Sequence, residues 1–148
     1  MGHTYSNHIN RLITLQKRAI RVMTFSRFDA HSEPLFEKLD IMPLKKRLLF
    51  NSSIYIYKAL NSLCSLNSIK FFSFKTQRSS CRSANKLELF VPFTRLTVFQ
   101  NTIFVKGVKI YNSIDLKIRS VDKLSKFISY LKLSLNGIFN SCESLFCF

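Results

Sequence analysis

The sequence predicts a mainly α fold, a small helical domain of about four to five helices with a short β-hairpin near residues 87–105. Three observations lead there. Apolar residues recur at three- and four-residue spacing in the N-terminal part of the chain and again near its end. Ser, Asn and Pro punctuate the starts of those runs. Between them, one stretch is instead enriched in β-branched and aromatic residues.

The first helix runs from Ser6 or Asn7, each a suitable N-cap, to Met23. At about 100° per residue, Ile9, Leu12, Ile13, Ala19, Ile20 and Met23 fall on one side, and Arg11, Lys17, Arg18 and Arg21 on the other. A short second helix covers Ser32 to Leu39. There Ser32 precedes Glu33-Pro34 in the order an N-cap and a first-turn proline prefer, and His31 is expected to help the cap. The third and longest helix spans Pro43 to Asn61. Its Leu44, Leu48, Leu49, Phe50, Tyr55, Ile56, Tyr57 and Leu60 cover most of the circumference, the mark of a central helix packed on several sides. Lys45-Lys46-Arg47 in its first turn oppose the helix dipole, and an anionic ligand would relieve that conflict.

Cys64 to Lys86 is rich in Ser, Asn, Lys and Arg and reads as a loop carrying a Phe71-Phe72-x-Phe74 cluster. Leu87 to Phe93 and Leu96 to Val105 read as short strands, most simply one hairpin, with Pro92 restricting the first to an edge or a strand end. Gly107 to Ile114 is a short helix or turn. In the last helix, Val121 to Gly137, the residues Val121, Leu124, Ile128, Leu131, Leu135 and Ile138 make an apolar seam that packs on the core or meets a partner. The expected organisation is a basic helical part (1–62), a loop (63–86), a hairpin with the C-terminal helix (87–139) and an apolar tail (140–148), all in one domain. No repeat of 20–50 residues is present.

Charge is the second strong signal. Lys and Arg number 23 against 8 acids, a net charge of +15. From Ile41 to Leu87 there are nine Lys/Arg and no acid, and from Met1 to Phe28 five and none. Such a field attracts polyanions, and each neutralised phosphate releases counterions and steepens the salt dependence of binding. An anionic membrane surface uses the same charge, and so does an acidic protein partner.

Other classes of chemistry lack their residues. No run reaches the roughly 18 apolar residues of a membrane span, and no apolar region follows a positive N-terminal segment as in a secretory signal. Cys64, Cys81, Cys142 and Cys147 lack the spacing of a disulfide framework and read as reduced core or surface thiols, so the expected location is intracellular, cytoplasmic or nuclear. Cys142-x4-Cys147 has no second Cys/His pair to complete a zinc site. No phosphate-binding glycine loop occurs in a chain with three glycines, and no Ser or Cys has a patterned His and acid. No catalytic residue, metal, cofactor or small-molecule substrate is expected.

Several short motifs stand in one order along the chain. They are Gly2-His3-Thr4-Tyr5, Leu15-Gln16-Lys17-Arg18-Ala19-Ile20-Arg21, His31-Ser32-Glu33-Pro34-Leu35-Phe36, Cys81-Arg82, Val91-Pro92, Gly107-Val108-Lys109-Ile110-Tyr111-Asn112-Ser113-Ile114 and a closing helix from Leu124 to Leu135. Over about residues 2 to 136 this series resembles the C-terminal, post-polymerase tail of non-LTR (LINE-type, jockey-like) retrotransposon reverse transcriptases. The chain departs from that pattern in several places. Met1 and Tyr111 stand where the family has Trp, Val108 where it has Pro, Cys81 where it has Thr, and Ile114-Asp115-Leu116 where it has Leu-Pro. The family's paired catalytic aspartates have no counterpart, since no two of the eight acids are adjacent.

The resemblance implies a fragment of an RNA-directed DNA polymerase, inactive as a polymerase on its own, that sits beside the thumb and helps hold template RNA or target DNA. Its partners would be an RNA or DNA backbone and the upstream polymerase domain of the same element, with no membrane. Arg11, Lys17, Arg18, Arg21, Lys45, Lys46, Arg47, Arg78 and Arg82 are the expected phosphate contacts, with Lys106 and Lys109 as weaker ones. Phe71, Phe72 and Phe74 either stack on unpaired bases or anchor their loop to the core. Two rival readings are a docking module for the absent polymerase and an inert remnant of the element. The drift at Tyr111 and Cys81 and the tail Leu145-Phe146-Cys147-Phe148 suit the second.

Overall fold

The computed structural model describes residues 6–64, 70–75 and 87–137. Seven α-helices and one π-helical turn occur among them: α1 (Ser6–Met23), α2 (Glu33–Lys38), α3 (Leu44–Leu60), α4 (Thr97–Gln100), the π turn (Ile103–Gly107), α5 (Val108–Asn112), α6 (Leu116–Arg119) and α7 (Leu124–Gly137). The fold is a small, mainly helical one. By packing the chain divides within α3, one compact unit running to Leu48 and a second starting at Leu49.

In the first unit the buried stripe of α1 is narrower than its periodicity predicts. Ile9 and Ile20 are buried and Ile13, Gln16 and Thr24 half-buried, whereas Leu12, Ala19 and Met23, expected on the same face, are exposed. Gln16 lies within this stripe because its amide does structural work. Its Oε1 accepts from Leu44 N at 2.9 Å and its Nε2 donates to Met42 O at 3.4 Å. Leu44 N is one of the donors that the first turn of α3 leaves without a helical partner, so the side chain fastens α1 to the start of α3. Ser32 holds the predicted N-cap position of α2, yet its side chain makes no capping bond. His31 is exposed.

Three helices end alike and without glycine. After α1, Phe25 N donates to Val22 O and Ser26 N to Arg21 O. After α2, Asp40 N donates to Glu37 O and Ile41 N to Phe36 O; after α3, Ser62 N donates to Ala59 O and Leu63 N to Lys58 O. Each is a Schellman ending. It places Phe25, Asp40 and Ser62 at φ of 52°, 50° and 58°. A non-glycine residue there costs on the order of 1 kcal/mol. Asp and Ser are small and polar, but Phe is neither.

The second unit holds most of the buried apolar side chains. From α3 it takes Leu49, Phe50, Ile56, Tyr57 and Ala59, together with the buried Ser52 and Ser53, as a helix packed on several sides requires. Phe127 of α7, fully buried, stacks on Tyr57 at 4.2 Å, and the Tyr57 hydroxyl donates to Val121 O at 2.6 Å. Phe127 and Leu131 are the buried residues of the α7 seam, with Leu124 and Ile128 half-buried. The side chain of Leu135, and Ile138 altogether, lie outside the described residues. Val105, Val108, Ile110, Tyr111 and Ile114 complete the buried set around the π turn and α5. Gly107 is required there by sterics, since an added Cβ would stand 2.7 Å from Ile103 Cγ1 and 3.3 Å from Ile56 Cδ1.

The expected hairpin between 87–93 and 96–105 does not form, and no strand occurs among the described residues. Leu89 instead makes an isolated antiparallel bridge with Phe74. Lys75 N donates to Glu88 O and Phe90 N to Ser73 O, both at 2.8 Å, and the Lys75–Glu88 ion pair at 2.7 Å closes over them. On the opposite edge, Asn112 copies a neighbouring strand. Its Oδ1 accepts from Leu89 N at 3.0 Å and its Nδ2 donates to Leu89 O at 2.9 Å. Both edges of the segment are therefore occupied. In addition, Val105, Lys106, Gly107 and Val108 are buried in succession, which an alternating strand with one wet face cannot achieve. Ile103–Gly107 becomes a π turn, Val108 opens α5, and Thr97–Gln100 forms a single exposed helical turn.

Candidate nucleic-acid interface

The basic residues of the first unit form two groups. Arg11, Lys17 and Arg18 of α1 are exposed and Arg21 is half-buried, its Nε donating to Ala30 O at 2.9 Å. No acidic residue lies on α1. At the start of α3, Arg47 is exposed and Lys45 and Lys46 are half-buried. The Gln16–Leu44 bond joins the two groups, because the bonded residues are next in sequence to Lys17 and Lys45. The predicted face of α1 and the predicted cluster on α3 thus belong to one compact unit.

Other candidates fare differently. Lys106 is buried, and desolvation lowers its pKa below the ordinary 10.5; it is not placed to meet a phosphate in solvent. Lys109 is exposed. Arg78 and Arg82 lie outside the described residues. The Phe71, Phe72 and Phe74 cluster is turned inward in part. Phe72 is buried, Phe74 forms the bridge to Leu89, and the rings of Phe71 and Phe72 lie 5.0 and 5.9 Å from that of Phe104. That geometry suits a loop anchor.

The Gly107–Ile114 motif has a structural account. Gly107 admits the π turn, Val108, Ile110, Tyr111 and Ile114 are buried, and Asn112 binds Leu89. Arg119, also buried, donates from Nη1 to Leu87 O at 3.0 Å and lies 6.0 Å above the Tyr111 ring. Burial of Tyr111 pushes its pKa from 10.0 up to about 12, against the opposing pull of Arg119.

One feature lies outside the residues expected from the sequence. At the C-terminal end of α1, Arg18, Arg21, Val22, Phe25, Ser26 and Phe28 line an open groove of about 520 Å³. Phe25 is 97% exposed and Phe28 80%. The signal was present as aromatics interleaved with Arg in Thr24-Phe25-Ser26-Arg27-Phe28, a pattern used by proteins that bind single strands.

No family model matches the chain, and neither a curated protein nor a solved structure does. Among the described residues, no helix is long and apolar enough to cross a membrane, and no group of three or more His, Cys, Asp or Glu side chains is arranged to hold a metal ion.

Proposed function

We propose that this chain is a nucleic-acid-contacting fragment from the tail of a non-LTR retrotransposon reverse transcriptase, without a polymerase active site of its own. The single observation that supports the reading is the first unit's cationic surface. Arg11, Lys17 and Arg18 stand exposed on a helix with no acid, tied through Gln16 to Lys45-Lys46-Arg47. Surfaces of this kind clamp phosphates, fixing register without reading sequence. Arg78 and Arg82, outside the described residues, are further proposed phosphate contacts. The upstream polymerase domain of the same element is the proposed protein partner, inside the cell.

The experiment is binding of the purified chain to single-stranded RNA, single-stranded DNA and duplex over a salt series. A steep loss of affinity with salt is expected. Changing Arg18, Arg21, Lys45 and Lys46 together to Gln should flatten the slope by about three to four, since each duplex phosphate contact contributes close to one. An unchanged slope in a folded variant would remove the proposal.

A docking role toward the missing polymerase is the second reading. It is favoured by the exposed Val22 and Met23 beside Phe25 and Phe28. It predicts a folded chain that binds no nucleic acid.

A further inference from the structure

We infer that the groove at the end of α1 holds an unpaired stretch of nucleic acid, with Phe25 and Phe28 stacking on its bases and Arg18 and Arg21 contacting its phosphates. This rests on the phosphate-clamp reading above and sharpens it, because a phosphate clamp alone does not distinguish single strands from duplex.

The stripe is built by helical spacing. Arg18, Arg21 and Val22 follow one another on the last two turns of α1, and Phe25 comes one turn further on. Arg21 is oriented by its Nε bond to Ala30 O. Its two terminal nitrogens make no hydrogen bond among the described residues. The cations and rings line the same concavity. A helix lying in a lipid surface separates them onto opposite faces, so the arrangement favours a ligand with charge and flat apolar surface side by side. An unpaired nucleotide is such a ligand.

Stability does not account for Phe25. It occupies a left-handed position that glycine fills without strain, and its 97% exposure gives the ring no burial in return. The other two helix endings of the same type use Asp40 and Ser62. A strained, solvated phenyl beside two arginines is explained by a ring held out for contact.

The test uses the full chain, which contains no tryptophan. Phe25→Trp then provides a lone indole whose emission should be quenched by oligouridylate or oligothymidylate and not by an abasic oligomer of the same length. Which of the two oligonucleotides binds more tightly separates RNA from DNA. Phe25→Gly should move two readouts in opposite directions. The melting temperature should rise by about 4 °C as the strain is released, while single-strand affinity falls roughly tenfold and duplex affinity holds.

Opposite outcomes overturn the inference in distinguishable ways. If Phe25→Gly binds single strands as well as the parent, and the salt slope persists, the rings are idle and the phosphate clamp stands. If the parent binds no oligonucleotide at all, both readings fall. Quenching by phosphatidylserine vesicles but not by oligonucleotides would make the groove a lipid contact. Self-association abolished by Phe25→Gly, without quenching, would make it a protein-docking face.

Discussion

The two units use their polar side chains in opposite ways. In the second, long-range side chains turn onto backbone. Asn112 reaches Leu89, Arg119 reaches Leu87 and Tyr57 reaches Val121, across 23, 32 and 64 residues of chain. In the first, the cations Arg11, Lys17 and Arg18 stand exposed on a helix that carries no acid, and the acids Asp29, Glu33, Glu37 and Asp40 all come after it in sequence. Arg27 pairs there with Asp29 at 3.5 Å, and both side chains are largely exposed. Burial differs in the same way. Ile9, Ile20 and Phe36 are the buried apolar residues of the first unit among the described residues, and the other buried apolar side chains belong to the second, although both units also expose large apolar residues. The second unit thus holds the deeper core, and the first the helix whose cations have no acid beside them. Mutations should therefore separate stability from binding along the same division.

The largest separation should come from Asn112→Leu. The substitution keeps the bulk but leaves the amide and carbonyl of the fully buried Leu89 without their partner. Two orphaned buried backbone groups should cost about 2–4 kcal/mol, read as a lower denaturant midpoint, with the salt slope of binding unchanged. Equal loss of binding would break the division between the units.

That bond also marks the limit of what the sequence could say. Helix positions were legible, because apolar spacing in α1, α3 and α7 and the Ser32-Glu33-Pro34 order are local signals. The hairpin was not. Which partner takes each edge of Leu87–Phe90 is decided by residues 73–75 and by Asn112, both far away in sequence. Phe127 is illegible for the same reason, since its importance comes from the Tyr57 ring it meets. Within the site, the cationic face of α1 follows from periodicity. The link through Gln16 and the backbone state of Phe25 are tertiary and conformational facts that no spacing encodes.

Alkaline pH should also act on the second unit. Tyr111 titrates near 12 in the folded chain and near its ordinary 10.0 when unfolded, so the folded state holds the proton more tightly. Its contribution is fully present below pH 10 and is lost as pH rises from 10 through about 12. It amounts to about 2–3 kcal/mol. Tyr57 is raised by burial and by Asp122, so it shifts stability in the same sense. Lys106, lowered by burial, acts in the opposite sense, so the difference is the test: from pH 8 to 11 the unfolding midpoint of Tyr111→Phe should rise relative to that of the parent. Gly107→Ala comes next, at about 1–3 kcal/mol. The new methyl must displace Ile103, whose Cγ1 is 2.7 Å from its position, and the π turn with it.

The smallest effect tests a place where the division blurs. Gln16 belongs to the cationic unit but acts as the second unit's polar residues do, through the backbone of Leu44. Gln16→Ala should cost about 1 kcal/mol, the ordinary value of a lost helix cap, and the Leu44 amide should lose hydrogen-exchange protection. If the cations of α1 and α3 act as one surface, this neutral substitution should also flatten the salt slope, though it removes no charge. A slope that stays fixed while Leu44 exchanges faster would mean that the two basic groups bind independently. Phosphate contact would then be a property of each helix rather than of the joint that Gln16 makes.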